Sequence, residues 1–441
     1  MSFLVDKQTL DDLNILGRHK LNSIFQIYNQ VITTGGRKLL QSMFNEPLTD
    51  QNEVNSRSDM FAYFAKRDLT FPFTCEQAEA LENYLSCQQG GSFFSVGLEI
   101  FWKKSLQMAA GDDEYQKLND EVCLVVKLLN KLDDFADELQ SQSGPYSSRQ
   151  KQIKSILSQE KLNWLKQEKI ARRFSMYQLI KYDHLLRTVA KTQMKALIEL
   201  VFELDVFLAV AALGRARGFS YAEALPREAN ILEVEGLYHP AINPPVRNDL
   251  FLDKDRNVIF LTGANMAGKS TLMKAFGICM YLAHMGFPIA ANRMRFSIKD
   301  GLYSTINIPD NLNMGYSHFY AEVLRVKTVA KEVAAGKDLL VIFDELFKGT
   351  NVKDAYEATL SITEAFSESR DCFFVISTHI TEVGESLSGR CANFFFAYLP
   401  TVMDGHKPSY TYKLTEGISS DKQGMMIIEN EGILDILNGT R

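Results

Sequence analysis

Apolar positions recur at helical spacing through roughly the first 225 residues, and then the texture changes. Ile15, Leu21, Ile24, Phe25, Tyr28 and Val31 suit one face of a helix, and Leu39, Leu40, Met43 and Phe44 suit another. Pro47 stops that second helix, and the next begins at Glu53. Further helices are expected from Cys75 to Cys87, Asp113 to Gln142, Arg149 to Lys169 and Met176 to Leu213. Breaks fall at Gly90-Gly91, Gly111-Asp112 and Ser143-Gly144-Pro145. Long helices with few strands predict an elongated bundle or lever. The richest apolar stretch, Ala196 to Leu213, is broken by Glu199, Glu203 and Asp205, so it reads as a buried amphipathic helix and not as a membrane span.

From about residue 229, short β-branched and aromatic runs alternate with helical segments. Val258 to Leu261, Leu339 to Phe343 and Phe373 to Ile376 are nearly continuous apolar runs, as expected of strands buried on both faces of a largely parallel sheet. Alternating strands and helices imply an α/β unit that binds ligands at the carboxyl ends of its strands. The expected division is therefore an all-helical domain over 1–228 and an α/β domain over 229–441, with no internal repeat and no low-complexity tract.

Length and composition constrain this picture only loosely. A chain of 441 residues suits two large domains or three ordinary ones. With 46% hydrophobic and 23% charged residues it is neither disordered nor fibrous, and a net charge of -6 argues against a globally basic surface. The charge is uneven, however. Asp112 to Glu138 is acidic, whereas Arg149 to Lys195 is rich in Lys and Arg against only Glu160, Glu168 and Asp183. One reading is a solvated helix face. The other is a patch that tracks a nucleic-acid backbone, with Lys166, Lys169, Arg172 and Arg173 as candidate contacts and Trp164 and Tyr182 nearby. The six cysteines are scattered without a CxxC pair, as free thiols in a reducing compartment would be. The first residues carry neither a basic n-region nor a long apolar core, so no signal peptide is expected and a cytoplasmic protein is.

The sharpest chemical signal is Gly263-Ala264-Asn265-Met266-Ala267-Gly268-Lys269-Ser270-Thr271, which fits G-x-x-x-x-G-K-[ST] between a strand and a helix. The glycines let backbone N–H groups turn toward a phosphate, and the helix N-terminus adds a favourable dipole. Lys269 would reach the β- and γ-phosphates and the Ser270 hydroxyl would ligate Mg²⁺. Downstream, an apolar strand delivers Asp344 and Glu345 to its carboxyl end. Asp344 suits the metal, and Glu345 suits polarisation of an attacking water. His379, in Ser377-Thr378-His379, sits at the same edge, where it can contact the γ-phosphate or the water. Gly315-Tyr316-Ser317-His318-Phe319 precedes a helix expected from Ala321 to Val333. Ser317 reads there either as a simple helix cap or as a group for a second subunit's nucleotide.

With these sites in this order, the chain resembles the MutS family of DNA mismatch-repair ATPases, a branch of the ABC-type ATPases. Gly263 to Thr271 looks like the family's Walker A, and Asp310 through Glu322 is similar to its signature stretch, with Gly315, Ser317, Phe319 and Glu322 matching. Asp344-Glu345 with Gly349-Thr350 looks like Walker B and its trailing loop. Asp354 falls at the D-loop acid, and Thr378-His379 resembles the switch histidine. Tyr238-His239-Pro240 is similar to the opening of the family's ATPase domain, and Tyr412-Lys413-Leu414 with Gly417 and Ser419 to the strand after the switch. In the first half Asp11 to Ile15, Ser23-Ile24-Phe25, Thr34-Gly35-Gly36, Pro47-Leu48 and Arg57 resemble the lever region less specifically. Three departures stand out. Ser317-His318-Phe319 replaces the usual Ser-Thr-Phe, Lys348 stands where Arg is common, and Pro244-Pro245-Val246 lies where many members place a base-stacking aromatic.

The resemblance implies an all-helical lever domain followed by a P-loop (ABC-type) ATPase domain with a mainly parallel sheet. It implies ATP and Mg²⁺ as ligands, and a homodimer with composite ATP sites in which Ser317 of one subunit completes the pocket of the other. DNA is the implied partner, held by levers that nucleotide binding moves, and no membrane is involved. Lever-like sequence from about residue 5 leaves no room for a mismatch-reading domain and connector, the clamp insertion looks reduced, and no nuclease-like domain is expected after the ATPase. Two other outcomes stay open: a nucleotide-switched protein-interaction ATPase that does not bind DNA, and a catalytically weak dimer scaffold.

Overall fold

The computed structural model describes residues 2–17, 23–86, 91–139, 144–168, 173–264, 266–306, 318–404, 407–419 and 433–437. Two compact units emerge, one comprising residues Met1–Tyr28, Phe44–Ser58 and Gly214–Arg441, the other Asn29–Met43 and Asp59–Leu213. The division thus differs from a single cut at 228/229, because the chain's first residues belong with its last. Three of its four dividing points fall inside the helices Thr34–Asn45, Gln51–Ala65 and Lys191–Arg217, and the fourth directly follows the helix Ile24–Tyr28.

In the first unit a seven-stranded sheet has the spatial order Leu4–Val5, Gly301–Thr305, Leu339–Asp344, Phe373–Ser377, Val258–Thr262, Phe394–Tyr398, Thr415–Glu416. All neighbours are parallel except the last pair. Four of the five inner strands, all but Phe394–Tyr398, are buried at every position, which is why their sequences show no polar alternation. The three expected strands are all present, and the helix expected at Ala321 to Val333 spans His318–Ala334.

The edge strand Leu4–Val5 was not expected. It pairs with Gly301-Leu302, where a Cβ at Gly301 would collide with the Leu4 carbonyl. The short helix after it, Lys7–Asp12, is tied to the strand end at 301–305. Thr9 Oγ1 accepts from Ser304 N at 2.9 Å, and Asp12 Oδ2 accepts from Ser304 Oγ at 2.8 Å and Ile306 N at 2.9 Å. Asp6 pairs with Arg325 of the helix His318–Ala334. Ile15 consequently lies in a turn and does not share a helix with Ile24 and Tyr28, which form Ile24–Tyr28.

The second unit is helical as expected, with differences. Arg149 to Lys169 is not one helix. It is Ser147–Leu157, a 3₁₀ turn at Glu160–Leu162, and Trp164–Gln167. Met176 to Leu213 is interrupted by a π-helical segment, Leu185–Val189, between Met176–His184 and Lys191–Arg217. A helix over Phe93–Ala110 was not foreseen. Asp205, the acid inside the apolar run, is buried and accepts from Ile32 N, Thr33 N and the Thr33 hydroxyl, at 2.7–3.1 Å. A buried carboxylate so satisfied orders its own neighbours in place of destabilising the core.

In the first unit the helix Lys269–His284 ends at a fully buried histidine. His284 Nδ1 lies 2.9 Å from Leu48 O, while Nε2 has no partner and the ring packs against Phe3 and Phe296. Burial lowers its pKa from 6.5 to about 4, against the opposing pull of the Leu48 carbonyl. Between those values the unfolded chain binds a proton that the folded chain refuses, so stability rises with pH across the window. Denaturant titrations from about pH 6.5 towards about pH 4 should therefore show stability falling, with His284 contributing on the order of 1–3 kcal/mol. His284→Gln should flatten that slope whatever its effect at neutral pH, and an unaltered slope would contradict the assignment.

Candidate functional site

Neighbouring parallel strands end at one edge and present polar groups there. Val258–Thr262 runs into the loop 263–268, which closes with two left-handed glycines, Gly263 at φ 128° and Gly268 at φ 101°. Among the described residues Gly268 caps the helix Lys269–His284 without a side-chain hydrogen bond, and a helix's first-turn amides, which have no intrahelical acceptor, suit an anion. Lys269 folds back onto its own loop, donating to Gly263 O at 2.7 Å and Ala264 O at 3.1 Å. Burial lowers its pKa, and the carboxylates of Asp344 and Glu345 oppose that.

Asp344 is the meeting point. Ser270 Oγ donates to its Oδ2 at 2.5 Å, and the Ser377 hydroxyl from the adjacent strand donates to its Oδ1. The next residue, Glu345, sits at φ 55° with its N–H donating to Ser377 O at 3.0 Å. A non-glycine residue held left-handed costs free energy, and such positions cluster at functional sites. Glu345 Oε1 lies 2.5 Å from His379 Nε2, and Lys348 Nζ approaches Oε2 at 3.9 Å. The hydrogen bond from His379 holds the Glu345 carboxyl below its usual range, against partial burial and with help from Lys348 and Lys269. A hydroxyl and a carboxylate side by side are hard oxygen donors. They fit Mg²⁺, which takes one or two protein oxygens and fills its shell with water and phosphate. Among the described residues no group of three or more His, Cys, Asp or Glu forms a fuller metal cage.

Of the expected site residues, Gly263, Ala264, Met266, Ala267, Gly268, Lys269, Ser270 and Thr271 belong to this loop and first helical turn, with Asp344, Glu345 and His379 at the same edge. Asn265 and Ser317 lie outside the described residues. Two contributors were not foreseen in these roles. Glu322 is buried, accepts from Gly349 N at 3.4 Å, and lines a small cavity with Thr305, Asp344, Glu345 and Lys348. Tyr412, at φ 56° and 45% exposed, lays its ring against Gly268. It is held there by Asn248, which donates to Tyr412 O at 3.0 Å and accepts from Leu414 N at 2.7 Å. The positional match of Glu322 and Tyr412 was visible in the sequence, but their partners stand 27 and 164 residues away.

The basic segment looks different once folded. Arg149 is bonded to Glu203 at 2.5 and 3.1 Å, Lys154 to Asp133 and Asp137 at 2.8 and 2.7 Å, and Arg187 to Asp183 at 2.5 Å. Of the candidate contacts, Lys166 is exposed with Asp133 at 3.5 Å, Arg173 is exposed, and Lys169 and Arg172 lie outside the described residues. Trp164 stacks on the buried Tyr182 at 3.7 Å between ring centroids, so its face is spent within the protein.

Fold and site together define a two-unit protein. A mainly parallel α/β unit carries a glycine-bounded loop, a lysine, a hydroxyl and two carboxylates on one strand edge. Two family models match it: MutS domain III over residues 8–211 and MutS domain V over 259–437. The chain belongs to the MutS family. It is similar to proteins named DNA mismatch repair protein MutS. That of Petrotoga mobilis is 29% identical over 259 residues, 57% of this chain and 31% of the relative. That of Fusobacterium nucleatum is 29% identical over 229 residues, 50% and 25% respectively. That of Geobacillus thermodenitrificans is 26% identical over 249 residues, 55% and 27%. The matched part thus spans a quarter to a third of each relative's length. Among the described residues no helix is long and apolar enough to cross a membrane.

Gly268 gives a direct check on this geometry. At φ 101°, with Tyr412 Cδ1 2.9 Å from where a Cβ would stand, Gly268→Ala must strain the backbone and displace the ring. Urea unfolding should show a loss of roughly 1–3 kcal/mol, and an undiminished midpoint would mean that the loop adopts another conformation.

Proposed function

We propose that this chain is a Mg²⁺-dependent ATPase of the MutS type that works as a homodimer and couples ATP binding and hydrolysis to DNA. The observation that carries the reading is the convergence of Lys269, Ser270, Asp344, Glu345 and His379 on one strand edge beside a helix N-terminus. Loop amides and Lys269 neutralise the β- and γ-phosphates. For this Lys269 exchanges the carbonyls of Gly263 and Ala264 for phosphate oxygens. Ser270 and Asp344 hold the metal, which when bound supplies charge neutralisation at the phosphates. Glu345, fixed by its backbone and by His379, accepts a hydrogen bond from the attacking water and orients it. His379 links that carboxylate to the γ-phosphate. Tyr412 offers the exposed aromatic face that Val246 does not, and Ser317 of a second subunit closes the site.

The domain boundaries follow the same reading: a lever centred on the helical unit and an ATPase domain centred on the sheet. DNA binding rests on the family and on the exposed Lys166 and Arg173. A second reading, an ATPase that switches protein contacts without binding DNA, is favoured by the carboxylate partners of Arg149, Lys154 and Arg187 and by the net charge of -6.

ATP turnover by the purified chain should require Mg²⁺. It should fall about 10²–10³-fold in Glu345→Gln while nucleotide binding is retained. Equal turnover in the variant would remove Glu345 from the mechanism. If duplex, mismatched or branched DNA binds, affinity should drop steeply with salt, and replacing Lys166, Arg172 and Arg173 by Glu should weaken binding and flatten that salt dependence. Absence of any DNA complex at low salt would decide for the protein-switch reading.

A further inference from the structure

The helix Phe93–Ala110 is apolar on two sides. Its inner face packs through Val96 and Ile100, both buried. On the opposite face Phe94, Leu98, Phe101, Ser105 and Met108 follow one another at alternating spacings of four and three. That is the seam a helix presents to another helix. Trp102 and Leu106 flank this seam, and no charged residue interrupts it. The exposures are high: 73% for Phe94, 54% for Phe101, 64% for Trp102 and 83% for Met108, with Leu98 and Leu106 at 46%. Ser105, the one polar residue in the seam, already donates its hydroxyl to Phe101 O at 2.9 Å, so covering it leaves no unmet donor. Of the helix's charges, Lys103 pairs with Glu99 at 2.8 Å and with Glu114 at 3.8 Å, and Lys104, which borders the seam beside Phe101 and Met108, lies over the Tyr115 ring at 5.7 Å.

A helix apolar on two sides buries only one of them against a single neighbour. With about 150–250 Å² of surface per aromatic side chain, this face offers roughly 700 Å², beyond the few hundred Å² that monomers ordinarily expose. Two such faces together approach the roughly 1,200–2,000 Å² of a specific protein–protein interface. A heptad-spaced, charge-free seam is complementary to itself, and a two-fold pair of equal surfaces is the commonest form of self-association. We propose that this face is covered by the same helix of a second copy of this chain, forming a contact between helical units separate from any nucleotide-dependent one.

The test reads Trp102 directly. The chain holds two tryptophans, so Trp164→Phe leaves Trp102 as the sole emitter in the full-length protein. The experiment is run without nucleotide, so its result stands apart from that of the ATPase reading. Raising the protein concentration from nanomolar to micromolar should cut iodide quenching of Trp102 by half or more, in step with a rise in sedimenting mass. Phe101→Glu, and independently Leu98→Glu, should restore full quenching at the highest concentration with an unchanged melting curve. Four results would overturn the proposal. Two are full quenching of Trp102 at every concentration and shielding where the protein sediments as a monomer. The others are shielding that persists in both glutamate variants and shielding that arises only on adding anionic phospholipid vesicles.

Discussion

The carboxylate of Asp344 is where the α/β unit's geometry becomes chemistry. One of its oxygens accepts from the first turn of the helix after the glycine-bounded loop, through Ser270, and the other from the neighbouring strand, through Ser377. Those two bonds tie the ends of two adjacent strands to the first turn of the helix. They also explain the residues around them. The strand Leu339–Asp344 is apolar until its last residue because everything before Asp344 is buried between helices. The following residue turns left-handed, which aims Glu345 at His379 and away from the sheet. A chain that relaxed Glu345 into an ordinary conformation would lose the carboxylate–imidazole contact, and with it the feature that separates this edge from an ordinary polar strand end.

The N-terminal segment bears on the same edge from the far side. Thr9 and Asp12 bind the end of the strand Gly301–Thr305, and Asp6 holds Arg325 on the helix His318–Ala334. That helix also carries Glu322, whose carboxylate reaches Gly349 in the loop beyond Glu345. A continuous set of hydrogen bonds thus runs from the chain's first helix to the loop after the paired carboxylates. In the helical unit, polar groups act differently. Asp205 accepts from Ile32 and Thr33, and the Arg149–Glu203 and Arg187–Asp183 pairs join oppositely charged side chains within the bundle.

What was legible in the sequence was local. The loop 263–271 could be read because strand, glycines, lysine and helix are contiguous, and the inner strands because burial on both faces removes polar alternation. The family too could be read, since its motifs keep their order. What escaped depends on contacts across long separations or on patterns without a period. Leu4–Val5 is too short to show alternation. Phe93–Ala110 hid because a helix apolar on two sides has little amphipathic signal. In the segment after Arg149, the ion pairs of Arg149 and Lys154 escaped because their partners, Asp133, Asp137 and Glu203, lie in other helices. Tyr412 could be matched to a pattern, but its place on Gly268 depends on Asn248, far upstream.

The central claim is that Ser270 and Asp344 together form a metal-dependent phosphate site. Titration calorimetry with a slowly hydrolysed ATP analogue, with and without Mg²⁺, tests it most directly when wild type is compared with Asp344→Asn. The account predicts that Mg²⁺ tightens binding to the wild type, and that the variant binds the analogue with equal affinity whether or not the metal is present. An analogue that fails to bind the wild type, or a metal dependence that survives the substitution intact, would contradict it.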